Sequence, residues 1–89
     1  MEFNVSAIIR IMPEGVDVNL DDIKEKTEKE ANRIGKFHSA KIVPIAFGLK
    51  SLEVAVLMND DAGGMDDLIG AVSKIEGVQS VEMTEVNRL

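Results

Sequence analysis

The chain has 89 residues, which fits one domain over residues 1–89 with a modest hydrophobic core. Its hydrophobic fraction of 45% and charged fraction of 29% are ordinary for a soluble protein, and it has no cysteine, which excludes disulfides, zinc–thiolate sites and thiol nucleophiles. A formal net charge of −6 disfavours direct nucleic-acid binding, because such proteins concentrate positive charge. The sequence carries no signal peptide and no membrane-length apolar run, so we expect a cytoplasmic protein.

The first half of the chain predicts a strand, a helix and a second strand. Residues 3–12 alternate between apolar and polar side chains, which is typical of a strand with one buried face. Residues 20–34 place apolar side chains at three- and four-residue steps, which predicts an amphipathic helix. Asn19 is the expected N-cap and Gly35 the expected C-terminal stop. Residues 37–46 predict the second strand.

The second half predicts a strand over residues 49–58, a helix over 65–76, a last strand over 79–86 and a tail over 87–89. The element order βαββαβ indicates an α+β, ferredoxin-like sandwich. Its four-stranded antiparallel sheet is expected in the order 4-1-3-2, with both helices on one face. Proline donates no ladder hydrogen bond, so Pro44 independently places the second strand at an edge of the sheet.

Residues that could carry catalysis or bind a metal are few. His38 is the single histidine, and one histidine does not make a metal site without further ligands. The pairs Asp60–Asp61 and Asp66–Asp67 flank Gly63–Gly64, but their spacing is not that of a calcium loop. No phosphate-binding loop and no nucleophile–base pair is visible. We therefore expect no metal, no cofactor and no enzymatic activity.

Two segments remain as candidate contact sites. Phe47 lies beside a glycine in the predicted hairpin, where it is either an exposed anchor for a partner or a core side chain. Arg88, close to the end of the sequence, is by itself an ordinary solvated charge. RNA-recognition domains share this fold but stack bases on aromatic residues of the central strands, where this sequence has only Phe3.

Several short motifs occur together in a characteristic order. They are VPIAFG at 43–48, NDD at 59–61, VQSV at 78–81 and the final NRL. With the intervening KSLEVAV and MDDLIGAVSKIEG segments, they resemble the C-terminal exchange domain of the elongation factor 1-beta family. Ala46 stands where the family often has Gly, and Arg88 where it often has Lys. Because the first predicted strand begins at Phe3, the chain resembles the compact archaeal form, without the N-terminal extension of eukaryotic relatives.

The resemblance implies a guanine-nucleotide exchange factor that promotes GDP release from elongation factor 1-alpha during translation elongation. By carry-over, Arg88 is the basic side chain inserted near the magnesium and phosphate site of the GTPase. The implied partner-binding residues are Pro44, Phe47, Gly48, Asn87, Arg88 and Leu89. The resemblance implies no cofactor of its own and no membrane or direct nucleic-acid contact, and we expect a monomer when the protein is free.

Two alternatives belong to other functional classes. The first is a small ferredoxin-like regulatory or ligand-binding domain without exchange activity, which would need a concave site or a symmetric dimer surface. The second, an acylphosphatase-type enzyme, would need a phosphate-binding loop after the first strand, but residues 13–19 are acidic. Because strands 2 and 4 should run antiparallel, Phe47 and Arg88 are expected roughly 25 Å apart, at opposite ends of the sheet. That separation suits a module that bridges two domains of a partner.

Overall fold

The computed structural model describes residues 3–59 and 64–88. Within them the strands β1, β2, β3 and β4 form one antiparallel sheet in the order β2-β3-β1-β4, with the helices α1 and α2 inserted in the order βαββαβ. The predicted fold and strand order are confirmed, and the strand with Pro44 lies at an edge. The elements are β1 Val5–Pro13, α1 Leu20–Ile34, β2 Lys36–Pro44, β3 Lys50–Met58, α2 Gly64–Ser73 and β4 Val78–Arg88.

Both ends of α1 lie where the sequence predicts them, the first through a local interaction and the second through a tertiary one. The Asn19 side chain accepts hydrogen bonds from the backbone N–H groups of Asp21 at 2.9 Å and Asp22 at 3.3 Å, which satisfies donors that the first helical turn leaves unpaired. Gly35 ends the helix in a way the sequence does not reveal. Its φ is not in the left-handed region, and a Cβ there would collide with the carbonyl oxygen of Leu57 in β3.

The core lies between the helices and one face of the sheet. In β1 every second side chain is buried, as the alternating pattern predicts. The central strands β1 and β3 supply most of the core because both are covered by the helices, whereas the edge strands are more exposed. The fully or nearly fully buried apolar residues are Val5, Ala7, Ile9, Ile11, Ile23, Ala31, Leu52, Val54, Val56, Met58, Leu68, Val72 and Val78.

Thr27 is the one polar side chain on the buried face of α1, and its hydroxyl has no hydrogen-bond partner among the described residues. A buried hydroxyl without a partner costs about 1–3 kcal/mol. Thr27→Val keeps the shape and the β-branching, so we expect it to raise the free energy of unfolding by about 1 kcal/mol. A thermal melt should then shift upward by about 4–8 °C for a domain of this size.

Thr84→Val is the matched control for this stability prediction. The Thr84 hydroxyl is exposed and donates to the Ile8 carbonyl oxygen at 3.2 Å. Thr84→Val loses a hydrogen bond, whereas Thr27→Val removes a buried hydroxyl that has none. No gain in melting temperature is therefore expected for Thr84→Val. Equal upward shifts for the two variants would mean that β-propensity or hydrophobicity, not the unpaired Thr27 hydroxyl, controls the effect.

Several predicted boundaries were wrong by one to three residues. The β1 strand begins at Val5 instead of residue 3, and it includes Pro13, which the sequence placed after the strand. The α2 helix ends at Ser73 instead of residue 76. There the chain tightens, because the backbone N–H groups of Lys74 and Ile75 bond to carbonyl oxygens three residues earlier.

The two hairpin strands are shorter at their turn than the sequence predicts. The β2 strand ends at Pro44 instead of residue 46, and β3 begins at Lys50 instead of residue 49. The Pro44–Lys50 pair closes the ladder. Beyond it, residues 45–49 form the turn, in which the Ile45 N–H donates to the Leu49 carbonyl oxygen at 2.9 Å.

The prediction of a tail over residues 87–89 was wrong for the residues that the structure describes. The β4 strand continues to Arg88, and its last residues pair with the beginning of β1, Arg88 opposite Val5 and Asn87 opposite Ser6. Backbone pairing with β1 extends the strand because it satisfies N–H and C=O groups that a free tail leaves to water. Leu89 lies outside the described residues.

Candidate functional site

The hairpin between β2 and β3 closes in a type I′ turn. The Ala46 carbonyl oxygen accepts a hydrogen bond from the Leu49 N–H at 2.9 Å. The two central residues, Phe47 and Gly48, have φ values of 55° and 80°. Positive φ at both central positions defines this turn type, whose twist matches that of the flanking strands.

Phe47 occupies a turn position that normally carries asparagine, aspartate or glycine. A side chain with a Cβ pays about 1–2 kcal/mol in the left-handed conformation, and Phe47 is the only non-glycine described residue with positive φ. Its side chain is 98% exposed, so it offsets none of this cost by packing. The structure thus decides the question that the sequence left open, because Phe47 is not part of the core. Exposed aromatic groups held by strained backbone are typical of contact sites.

At the end of β4, Arg88 and Asn87 are exposed but point in opposite directions. Arg88 pairs with Val5, so it lies on the helix-covered side of the sheet, together with Val86. Asn87 lies on the open side, where its Nδ2 donates to Oε2 of Glu85 at 3.1 Å. The structure therefore groups Arg88 with apolar side chains of β4 and not with its neighbour Asn87.

The strand register gives the separation between these two candidate contacts. Lys50, next to the turn, lies eight residues before Met58, which is level with Val5 and therefore with Arg88. At ~3.3 Å per residue the two levels are about 26 Å apart, within a molecule 40 Å long. The register confirms that the hairpin turn and the end of β4 lie at opposite ends of the sheet.

Exposed large apolar side chains of the described residues occur around the hairpin turn and along the helix-covered side of β4. A group that we call the hairpin-end patch surrounds the turn, and a smaller β4 patch extends from beside Arg88 to the middle of the sheet, where Met83 lies opposite Ile9. The hairpin-end patch consists of Val16, Ile42, Ile45 and Phe47, and the β4 patch of Met83 and Val86. Apolar surface that a protein leaves in water at defined places marks contact sites more often than scattered single residues do.

A cleft of about 270 Å³ opens within the hairpin-end patch, between the hairpin and the β1–α1 loop. Val16 lines it from the loop, Ile42 and Lys50 from the strands, and Gly48 from the turn. A Cβ on Gly48 would lie 3.8 Å from Cγ1 of Val16, so the loop and the turn lie next to each other. The cleft is smaller than the sites that usually hold small molecules.

The open face of the sheet, opposite the helices, is electrostatically paired within itself. A row of alternating charges crosses all four strands, with ion-pair distances of 3.9 Å from Lys41 to Glu53, 3.7 Å from Glu53 to Arg10 and 3.4 Å from Arg10 to Glu82. Exposed pairs of this kind contribute little to stability. Since its charges satisfy one another, this face offers less to a charged partner than the two ends do.

Among the described residues, no group of histidine, aspartate and glutamate side chains is arranged to hold a metal ion. His38 is exposed on the edge strand, and its Nδ1 lies 3.2 Å from the Ser39 hydroxyl. Asp66 and Asp67 are exposed in the first turn of α2, and Asp60–Asp61 lie outside the described residues. No helix in residues 3–59 and 64–88 is long and apolar enough to cross a membrane.

Sequence reasoning missed Val16 and the cleft beside it. Val16 is 66% exposed although it is apolar. The available indication was an isolated apolar residue in a loop between Glu14, Gly15 and Asp17. That pattern is common in loops and does not by itself indicate a site. Only the proximity of Val16 to Gly48, which the structure shows, places Val16 in a cleft.

Curated relatives match nearly the whole chain. Proteins called elongation factor 1-beta are 42% identical in Methanococcoides burtonii, with 94% of each chain covered, and 38% identical in Methanothermobacter thermautotrophicus, with 97% of each covered. The Pyrococcus horikoshii protein of the same name is 38% identical, with 99% of this chain and 98% of its own covered.

Solved structures with low sequence identity share the fold. The C-terminal domain of the MgtC protein from Mycobacterium tuberculosis superposes with a TM-score of 0.70 at 13% identity, covering 94% of this chain and 89% of that one. The ACT domain from GTP pyrophosphokinase of Chlorobium tepidum gives a TM-score of 0.64 at 17% identity, with coverage of 91% and 99%. At these identities the likeness concerns the architecture alone.

The family comparison extends over almost the entire chain, since residues 6–89 match the family described as the EF-1 guanine nucleotide exchange domain. That span contains the hairpin turn with Phe47 and the end of β4 with Arg88. The chain belongs to the EF-1 guanine nucleotide exchange domain family, and its relatives are elongation factor 1-beta proteins.

Proposed function

We propose that this protein is a guanine-nucleotide exchange factor that promotes GDP release from elongation factor 1-alpha in the cytoplasm during translation elongation. Family membership and the names of the relatives support this role. The single observation that carries it is the arrangement of the two exposed contacts. Phe47 is held fully exposed in a strained turn at one end of the sheet, and Arg88 is exposed at the other end, about 26 Å along the strands from the level of Lys50 beside the turn.

The two contacts have different tasks in this proposal. The hairpin, with Phe47 as its anchor, Gly48 in the turn and Pro44 at the end of β2, binds one surface of the GTPase. The end of β4 delivers Arg88 to the nucleotide site, with Asn87 and Leu89 as neighbouring contacts. Since a rigid sheet fixes the distance between them, binding at the hairpin determines where Arg88 arrives.

The chemistry of release follows from how a GTPase holds its nucleotide. A phosphate-cradling loop and a magnesium ion bind the phosphates of GDP. A guanidinium placed beside the metal repels it and competes for its ligands, so the affinity for GDP falls. Linkage requires GDP and the exchange factor to lower each other's affinity by the same factor. The factor acts as a monomer, needs no cofactor and forms no covalent bond.

A nucleotide-release assay tests the proposed function directly. Elongation factor 1-alpha loaded with a fluorescent GDP analogue is mixed with excess unlabelled GDP, with and without this protein. We expect release to accelerate by at least about tenfold, which corresponds to a barrier lowered by about 1.4 kcal/mol. A GTPase of another family, loaded in the same way, is the control and should not respond. An unchanged release rate from elongation factor 1-alpha at saturating protein would refute the proposal and leave a ferredoxin-like regulatory or ligand-binding domain as the better interpretation.

A further inference from the structure

The β1–α1 loop, residues 14–19, is fixed at both ends, and its central residue Val16 is exposed to solvent. At one end the Glu14 N–H donates to the Gly77 carbonyl oxygen at 2.9 Å. At the other end Val18 packs against the core and Asn19 caps α1. Val16, between these anchors, is 66% exposed. A fixed loop loses little further conformational freedom when it contacts a partner, which favours binding.

The fixed loop places Val16 beside the hairpin turn. Since a Cβ on Gly48 would come within 3.8 Å of Val16 Cγ1, the loop and the turn form two walls of one cleft. Ile42 contributes an apolar side chain to its lining. The volume of about 270 Å³ accommodates one large side chain and falls below that of ordinary small-molecule sites.

The charges around the cleft are predominantly negative. Glu14, Asp17, Asp21 and Asp22 are exposed in the loop and in the first turn of α1, and no ion pair with a described residue engages them. Among the described residues that line the cleft, Asp21 is the one acid and Lys50 the one base, while Glu14, Asp17 and Asp22 are next in sequence to lining residues. The lining itself is mixed, with apolar side chains such as Val16 and Ile42 beside polar groups such as Asp21. A mixed cleft with this rim is complementary to an apolar side chain that has a basic neighbour.

We propose that this cleft is a second half of the hairpin contact. It receives an apolar side chain of the GTPase, next to a lysine or arginine that faces Asp17 and Asp21, while Phe47 inserts into the GTPase. This inference rests on the proposed function and deepens it. Val16 thereby becomes a residue that determines affinity and orientation at the hairpin end, without acting on the nucleotide site.

The test uses Val16→Ser and Asp17→Asn in titrations of GDP release from elongation factor 1-alpha. Because the cleft acts in binding, Val16→Ser should raise the half-saturating concentration about tenfold and leave the release rate at saturation unchanged. Asp17→Asn should raise it a fewfold and weaken its dependence on salt concentration, because one charge pair is lost. Direct binding to the nucleotide-free GTPase, measured by fluorescence anisotropy, should show the same losses.

Matched controls separate the cleft from general effects. Val16→Ile keeps the apolar wall and should bind as the wild type does. Glu25→Gln removes the same charge from the exposed side of α1 and should change neither affinity nor salt dependence. Wild-type titrations for Val16→Ser would overturn the cleft proposal while leaving the exchange function intact. If the wild-type protein binds the GTPase but does not accelerate GDP release, the proposed exchange function is refuted. The anisotropy measurements on the variants then still test whether the cleft contributes to binding.

Discussion

Arg88→Ala is expected to slow the stimulated release of GDP on the order of 100-fold at saturating exchange factor, which corresponds to about 2.7 kcal/mol. The reason is that the cation opposing the magnesium ion is removed, while the hairpin contact remains. Half-saturating concentrations should change less than the maximal rate, because Phe47 and the hairpin-end patch still bind. Stopped-flow release of a fluorescent GDP analogue measures both quantities.

Substitutions that vary the charge at Arg88 sharpen this test. Arg88→Lys should keep most of the activity, because a point charge suffices to oppose a metal ion. Arg88→Glu should be slower than Arg88→Ala, since a carboxylate attracts magnesium. Arg33→Ala is the matched control, because Arg33 is also an exposed arginine, paired at the end of α1 with Glu30 at 2.9 Å. It should release GDP at the wild-type rate.

Because Arg88 lies within β4, the Arg88 variants must first be shown to fold. Its backbone pairs with Val5, so thermal melts must show that the sheet is intact before a slow rate is assigned to the lost charge. An exposed side chain at the end of a strand should contribute little to stability. A wild-type release rate for a well-folded Arg88→Ala protein would remove Arg88 from the mechanism and leave the hairpin as the main determinant.

Phe47→Ala is expected to weaken binding to elongation factor 1-alpha by about 30-fold, or about 2 kcal/mol, as loss of a central aromatic anchor usually does. The melting temperature should stay close to that of the wild type, because the side chain is 98% exposed. Alanine retains a Cβ, so it leaves the backbone strain of the turn in place. Titrated release assays and thermal melts of the free protein measure the two effects.

Phe37→Ala is the matched control for the hairpin anchor. Phe37 is partly buried against the core, and its N–H is held by the side chain of Asn32 at 2.9 Å. Its truncation should cost up to about 3–5 kcal/mol of folding stability, with binding affected only through unfolding. Phe47→Gly should lose the same contact as Phe47→Ala and also relieve the left-handed strain of the turn, which should raise the free energy of unfolding slightly.

Strong destabilisation by Phe47→Ala would contradict the exposed position of the side chain. Unchanged binding by Phe47→Ala would contradict the role of Phe47 as an anchor.

The sequence by itself determined the element order, the sheet topology and the family. Periodicities of two and 3.6 residues depend on burial within single elements, so they are readable without tertiary information. The Asn19 cap is a contact over two and three residues, which the sequence likewise contains. Pro44 predicted the edge strand correctly because the lack of an N–H is a property of proline itself.

Tertiary structure alone decided the features that depend on contacts between distant segments. Arg88 belongs to β4 because its backbone pairs with Val5, at the other end of the chain. Gly35 is required by the approach of Leu57, and Val16 gains its place in a cleft from Gly48. The exposure of Phe47 likewise depends on how the turn projects from the sheet. None of these contacts leaves a periodic pattern in the sequence, because each joins residues whose proximity is set only by the packing of whole elements.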